Sequence, residues 1–489
     1  MHPHTPVLVG VGLVMQREED PRQAREPLAL MIDAARAAGT DCGQRALLTD
    51  IERIAVPVGR WSYRNPGRLI AAALGATPAT SISAVPGVSQ QTLLSDACSA
   101  IARGDISTAM VIGGEAGYRL QCARRAGLAL NDTASTDLPD LEMTPHDDML
   151  PDYEQATGLG AMPVGYYAIV DSAFRHARGF STGAYRDRIA DRYSRFSAVA
   201  ANNPHAWMRR HISAAEIRDS SAHNPMLAFP YTKLHNSQWS VDQASALLFC
   251  SVEKAQQLGI ARERWVFPQV FTEANHMVNI TARGALDRCV GAELAGRAAF
   301  TQSACTPDEL DFLELYSCFP VAVESYAHEL GIPESIAWTV TGAMPFAGGP
   351  FNSFVLHTVG QMAARIRAKP HSRGMVTTVS GIITKQGFGI WGADPDPHGY
   401  EFVDVTPDVV AATDEREVVA DYHGAATVAG YTALYDRAGP QRGVAVVDLP
   451  AGKRSIASTD DPRVMTHMIT TEFCGANVSL HGGRFEYAG

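Results

Sequence analysis

Short apolar runs and helical spacings alternate from the start of the chain. Val7 to Val11 reads as a buried strand, and a helix follows around Pro27 to Ala38. A strand from Ile51 to Pro57 and a helix around Pro66 to Leu74 come next. The strongest signal lies in Ala84 to Gly114, which reads as a strand end, a Pro86-Gly87 turn, a helix and a second buried strand from Thr108 to Ile112. Leu94, Ala97, Cys98 and Ile101 fall at i, i+3, i+4 and i+7, one buried helix face, and Gly104-Asp105 closes that helix. This alternation predicts a layered α/β fold with a mainly parallel sheet.

From about 118 to 230 the periodicity weakens, and Asp, Pro, Arg, His and aromatic residues accumulate. That segment reads as a long insertion carrying helices such as Gly165 to Ala177. Asp242 to Ser251 then reads as a strand and Val252 to Leu258 as a helix, closing a first half over 1–260. A second half, 261–395, repeats the first. Pro307 to Asp311 leads into a strand at Phe312 to Tyr316, as Asp50 to Glu52 led into the earlier one. A helix over Asn352 to Arg367, with Val355, Val359, Met362 and Ile366 on one stripe, precedes a strand at Met375 to Ser380. An internal duplication is a fold-level signature. After an acidic linker, Ala393 to His423, the chain alternates as strands at Ala426 to Arg437, Val444 to Leu449 and up to Ala457. A short helix near Pro462 to Met468 and a last strand pair around Gly475 to Tyr487 complete the pattern of a small Greek-key barrel over 396–489, similar to an OB-fold.

Composition narrows the function. The 489 residues are 46% hydrophobic, enough for a large core, and a formal charge of -11 argues against nucleic acid or an anionic membrane as the main partner. The barrel also shows no basic groove with stacked aromatics, so it reads as a docking or lid domain. No apolar run reaches the length of a membrane span, and the N-terminus shows no leader pattern. The eight cysteines are scattered without C-x-x-C pairs, which fits reduced thiols in a cytoplasmic protein rather than a zinc site. The His146 to Asp148 run has metal-binding residue types but reads as a solvated loop, so no metal is expected.

The central stretch resembles the thiolase superfamily, through Ile101-Ala102-Arg103-Gly104-Asp105 (I-x-x-G-D) and the strand end Gly113-Gly114-Glu115. The resemblance covers roughly residues 5 to 395. It implies the duplicated, five-layered α-β-α-β-α thiolase fold, with the insertion as the loop domain over the active site. By the family's spacing the nucleophilic cysteine would stand at Gly87, or at Val88 or Ser89 if the turn is shifted; none of these is cysteine, and Cys98 reads as a small core residue. The H-D-C-F block of sterol-carrier-type thiolases corresponds to Tyr316-Ser317-Cys318-Phe319, the G-H-P block to Gly348-Gly349-Pro350, and the late C-x-G block to Lys385-Gln386-Gly387. The T-K-x-x-F-G motif of actinobacterial thiolase-like proteins, often labelled acetyl-CoA acetyltransferases, matches Thr384 to Gly389.

The resemblance therefore implies a thiolase-like acyltransferase fold whose Cys/His/Cys machinery has been exchanged, and which binds an acyl-CoA or lipid ester with no further cofactor. Gly87, Val88, Cys318, Phe319, Gly348, Gly349 and Gly387 are the expected substrate-binding positions. Three residues are candidates for surviving chemistry. Ser89, at a helix N-terminus, reads as a nucleophile or as a cap. Tyr316 reads as an oxyanion donor and acid or as a packed side chain. Lys385 reads as a contact to a CoA ester or as a partner of backbone carbonyls. His235, His276 and His357 read as structural. Thiolase-fold steroid side-chain aldolases also lack the cysteine and use tyrosines, so the alternative is carbon–carbon cleavage of a β-hydroxyacyl-CoA by Tyr316. The resemblance leaves a monomer or a homodimer open.

Overall fold

The computed structural model describes residues 1–145 and 149–487; the His146 to Asp148 run lies outside them. The first half forms a six-stranded sheet. Its order is Pro6–Gln16, Asp242–Ser251, Thr108–Ala116, Arg53–Pro57, Thr80–Ala84 and Leu141–Met143. The first two pairings are antiparallel and the rest parallel. The second half forms a sheet in the order Phe312–Glu314, Arg373–Ser380, Lys385–Gly392, Phe267–Asn275 and Glu401–Asp404.

The duplication is visible in these two orders. In each half the first strand pairs with the last, and the last pairs with the strand that follows the inner helix. Two inner helices, Gln90–Arg103 and Phe354–Ala368, lie between the sheets, and outer helices such as Pro27–Cys42 and Val290–Gln302 cover their far faces. This is the five-layered thiolase arrangement. A helix between two sheets buries more than one face: Leu93, Leu94, Ala97, Cys98, Ala100 and Ile101 are completely buried, and on another side Thr92 and Ser95 donate to the Glu273 carboxylate, both at 2.8 Å. Ser89 caps this helix at one end, and Gly104, at φ +79°, caps the other.

Two features differ from the sequence reading. The supposed linker holds the strand Glu401–Asp404, parallel to Phe267–Asn275, and the helix Thr406–Ala412. Its charged residues and prolines suit an exposed edge, so its composition resembles a linker while its backbone completes the second sheet. Among the described residues the second half also has no counterpart to Thr80–Ala84. The segment at that edge makes one backbone bond, Leu315 N–H to Trp338 O at 3.0 Å.

The C-terminal region is a closed barrel of His423–Asp436, Gly439–Asp448, Arg454–Thr459, Asn477–His481 and Arg484–Glu486. Numbered along the chain, the strands run 1-2-3-5-4 and strand 4 closes on strand 1, with strands 3 and 5 parallel. The helix Pro462–Thr470 separates strands 3 and 4. Closure removes free edges, and the Val428, Tyr431, Phe473 and Leu480 side chains fill the interior. The barrel packs against the helix Val164–Ala177 of the insertion and takes up that insertion's Met226–Ala228 segment, where Ala228 pairs with Leu434.

Candidate active site

The N-termini of the two inner helices converge on one point. The Gln90 side-chain carbonyl accepts the Val355 N–H at 2.8 Å, which ties the first turn of one helix to the first turn of the other. Two positive dipole ends therefore lie near a common space, which favours an anion or a polarised carbonyl there. A cavity of about 690 Å³ opens there. Its floor comes from the two halves: Val88, Gln90, Tyr316, Cys318, Phe319, Asn352, Val379 and Ser380. Its roof comes from the insertion, with Met149, Met162, Val164, Tyr167 and Met208, and from Trp239 in the loop that follows it.

The interior is apolar, and four methionines line it, counting Met344 from the second half. Thioether side chains adapt to ligands of different shape. The rim carries Arg60, Arg210 and Lys233, exposed, with Arg210 paired to Glu216 at 2.6 Å. Phe319 stacks on Tyr167 with ring centres 4.3 Å apart, and the Tyr316 ring meets Phe354 edge-on at 5.9 Å. Burial pushes the Cys318 thiol up to about 12, beside the Tyr167 hydroxyl, so at neutral pH it is a thiol and not a thiolate. Burial likewise raises the phenols of Tyr316 and Tyr167, which stay protonated and can only donate or accept as neutral groups.

The expected site residues separate into two groups. Val88, Tyr316, Cys318 and Phe319 line the cavity. Gly87, Ser89, Lys385, Gly348, Gly349 and Gly387 stand behind its wall. The Ser89 hydroxyl accepts the Gln91 N–H at 3.3 Å and lies 3.2 Å from the Thr378 hydroxyl, so it acts as a buried cap. Lys385, in a central strand, is buried and donates to the Gly87 carbonyl at 3.4 Å, a bond across the two halves. Gly387 allows close packing: a Cβ there would lie 2.5 Å from the Thr378 hydroxyl and 2.8 Å from Gln91. At Gly349 a Cβ would lie 2.0 Å from the Ser237 Oγ, which is buried and has no hydrogen-bond partner among the described residues. Ser237, beside Cys318 through its N–H to the Cys318 carbonyl at 3.3 Å, thus fills the space that an imidazole at 349 would need.

Sequence reasoning missed Tyr167, Ser237 and Trp239. Tyr167 comes from the insertion and the other two from the loop between it and the strand Asp242–Ser251, where no periodicity marks a face. His235 and His357 are buried, and burial pushes each imidazole down to about 3, so both are neutral. No cluster of metal-ligating side chains exists among the described residues.

Replacing Ser89 with Ala is expected to cost about 1 kcal/mol of stability, the value of a lost cap. Denaturant titration reads this cost. If Ser89 acts only as a cap, ligand affinity of the cavity stays the same.

Two inner helices meeting at a cavity between duplicated halves define a thiolase-fold protein. The chain has that fold, and its residues 405–483 match the family model of the thiolase-like protein type 1 additional C-terminal domain. It superposes on a monomeric SCP2-thiolase like protein type 1 from Mycobacterium smegmatis with a TM-score of 0.83, 24% identity and 100% coverage of both chains. The Ltp2-ChsH2 aldolase matches with a TM-score of 0.57 and 17% identity, over 81% of this chain and 99% of that one. The dimeric peroxisomal thiolase of Saccharomyces cerevisiae matches at 0.55 and 15%, over 81% and 98%. In sequence, benzoylsuccinyl-CoA thiolase subunit BbsB of Thauera aromatica is 27% identical over 176 residues. That match spans 35% of this chain and 42% of the relative's length.

Proposed function

We propose that the chain binds an acyl-CoA or lipid-type ester in this cavity without forming the acyl-enzyme of a thiolase. The observation that carries this reading is the character of the cavity itself. It is large, methionine-lined and ringed by cations, and its one cysteine, Cys318, is held as a neutral thiol. The acyl group would occupy the apolar interior, its carbonyl would face the converging helix N-termini, and the CoA phosphates would meet Arg60, Arg210 and Lys233 at the rim. A CoA ester is the ligand in this reading, and no other cofactor takes part.

The protein would act as a monomer. In support, the outer edge of Thr80–Ala84 is already paired with the chain's own Leu141–Met143. A cytoplasmic setting agrees with eight unpaired cysteines. Among the described residues no helix is long and apolar enough to cross a membrane.

Calorimetric titration with a series of acyl-CoA esters tests the reading. Saturating ester, at about 100 times its Kd, is expected to add about 2.7 kcal/mol of stability. Val164→Trp, which fills the cavity from its roof, is expected to weaken binding at least tenfold. Absence of binding across the series would overturn the reading. Release of an aldehyde or ketone from a β-hydroxyacyl-CoA, abolished by Tyr316→Phe, would replace it with the lyase.

A further inference from the structure

Three consecutive residues of the hairpin behind the cavity wall lie in left-handed backbone conformation: Gly381 at φ +60°, Ile382 at +52° and Ile383 at +65°. Gly381 and Ile382 face the cavity. Glycine adopts such angles freely, but a β-branched residue there is a strained outlier. Strain of that kind persists only where the surroundings over-determine it.

Here the restraint comes from a buried cation. Arg283, 7% exposed, donates to the Ile382 carbonyl at 2.5 Å and to the Val278 carbonyl at 3.0 Å. Burial pushes its guanidinium down to about 10, with Glu154 opposing the shift, so it is charged at neutral pH. Gln386 donates to the Ile383 carbonyl at 2.7 Å and holds the second isoleucine.

Arg283 is itself gripped from the C-terminal barrel. Arg454, 3% exposed at the start of a barrel strand, donates to the Arg283 carbonyl and, at 3.2 Å, to the Gly284 carbonyl. Asp448, on the neighbouring barrel strand, orients that guanidinium through bonds of 2.9 and 2.7 Å. The segment leading into the barrel adds two backbone bonds, Gly284 N–H to Asp414 O and Arg416 N–H to Ala282 O, each 2.8 Å.

We propose that the C-terminal barrel sets the shape of the cavity wall, through Arg454 on Arg283 and Arg283 on the strained Ile382. The barrel is then part of the site's framework, and Arg283 and Arg454 are positioning residues that never touch the ligand. What the cavity binds rests on the function proposed above; the coupling between barrel and wall does not.

Hydrogen exchange on the full chain and the methyl NMR shifts of Ile382 and Ile383 test the coupling. Arg454→Gln is expected to raise exchange across 380–386 at least tenfold and to move both isoleucine methyl signals. Exchange in the barrel strand 444–447 and in the first-sheet strand 108–116 is expected to stay unchanged. Arg283→Met is expected to give the same signature, and Arg283→Lys, which keeps the charge and one donor, to recover part of it. Arg442→Gln, which breaks only the exposed ion pair with Asp460, is expected to leave 380–386 untouched. The proposal is overturned if Arg454→Gln leaves 380–386 and the isoleucine signals unaltered, or if Arg442→Gln alters them equally. Should Arg454→Gln loosen the barrel itself, Arg283→Met decides, because its side chain lies outside the barrel: unchanged exchange at 380–386 overturns the proposal. In both coupling variants acyl-CoA affinity is expected to fall at least fivefold. If no acyl-CoA binds the unaltered protein, the functional reading fails and the exchange results still decide the coupling.

Discussion

Incubation with acetyl-CoA or acetoacetyl-CoA is expected to leave the intact mass of the protein unchanged and to release no CoA above the uncatalysed rate. Thiolase chemistry needs a thiolate to carry the acyl group, a base at the α-carbon and donors for the enolate oxygen. Removing a covalent nucleophile from an enzyme of this kind costs on the order of 10⁶ in rate. In the reading proposed above, the cysteine position of thiolases falls in the turn Gly87 to Ser89, which holds no cysteine, and burial pushes the cavity's own Cys318 up to about 12, so it is a neutral thiol. Single substitutions are not expected to restore activity. Ser89→Cys would bury a thiol against Thr378 behind the wall, and Gly349→His would drive its Cβ into the Ser237 hydroxyl. Mass spectrometry of the intact protein and a thiol-release assay check both statements. An adduct of the acyl mass on the unaltered protein would sink the idea, and peptide mapping would then show which side chain carries it.

Much of the scaffold could be read from the sequence, because the signals that define it are local. Ser89 and Gly104 bracket the helix Gln90–Arg103, and its buried stripe follows from residue spacing alone. The duplicated strand order follows from matched strand–helix–strand patterns, and the barrel from alternation after residue 423. What escaped was set by partners distant in sequence. Leu141–Met143 and Met226–Ala228 are strands of three residues whose pairing partners lie on elements about 60 and 200 residues away, too short to show any period. For the site, motif spacing singled out Tyr316, Cys318 and Phe319, which line the cavity, but could not tell which way the other side chains point. Lys385, the first residue of its strand, pairs with Asn275 and turns toward Gly87, not into the cavity. The roof residues Tyr167, Ser237 and Trp239, and the Arg454–Arg283 link, depend on contacts between segments that carry no pattern of their own.

Substitution of Glu472 by Ala is expected to lower stability by about 2–4 kcal/mol and to act at the joint between the barrel and the insertion. Arg175, on the helix Val164–Ala177, is 1% exposed and sends its guanidinium to Glu472 at 2.8 and 3.0 Å and to the Tyr431 hydroxyl at 2.9 Å. Burial opposes the charge on Arg175, and Tyr431 and Glu472 outweigh that opposition, so its pKa is raised. Glu472 also accepts the Phe473 and Cys474 N–H groups, both at 2.9 Å, which fixes the turn after the barrel helix. Removing the carboxylate therefore strands a buried cation and two amides together. Breaking a fully buried pair costs about 3–5 kcal/mol, and the partial exposure of Glu472 reduces that figure. Arg175→Met combined with Glu472→Leu is expected to recover most of the loss, because no charge is then left buried without a partner. Calorimetric unfolding of the parent and the two variants separates these cases. A Glu472→Ala transition within about 0.5 kcal/mol of the parent would show that the joint is held by apolar packing of Tyr431 and its neighbours alone.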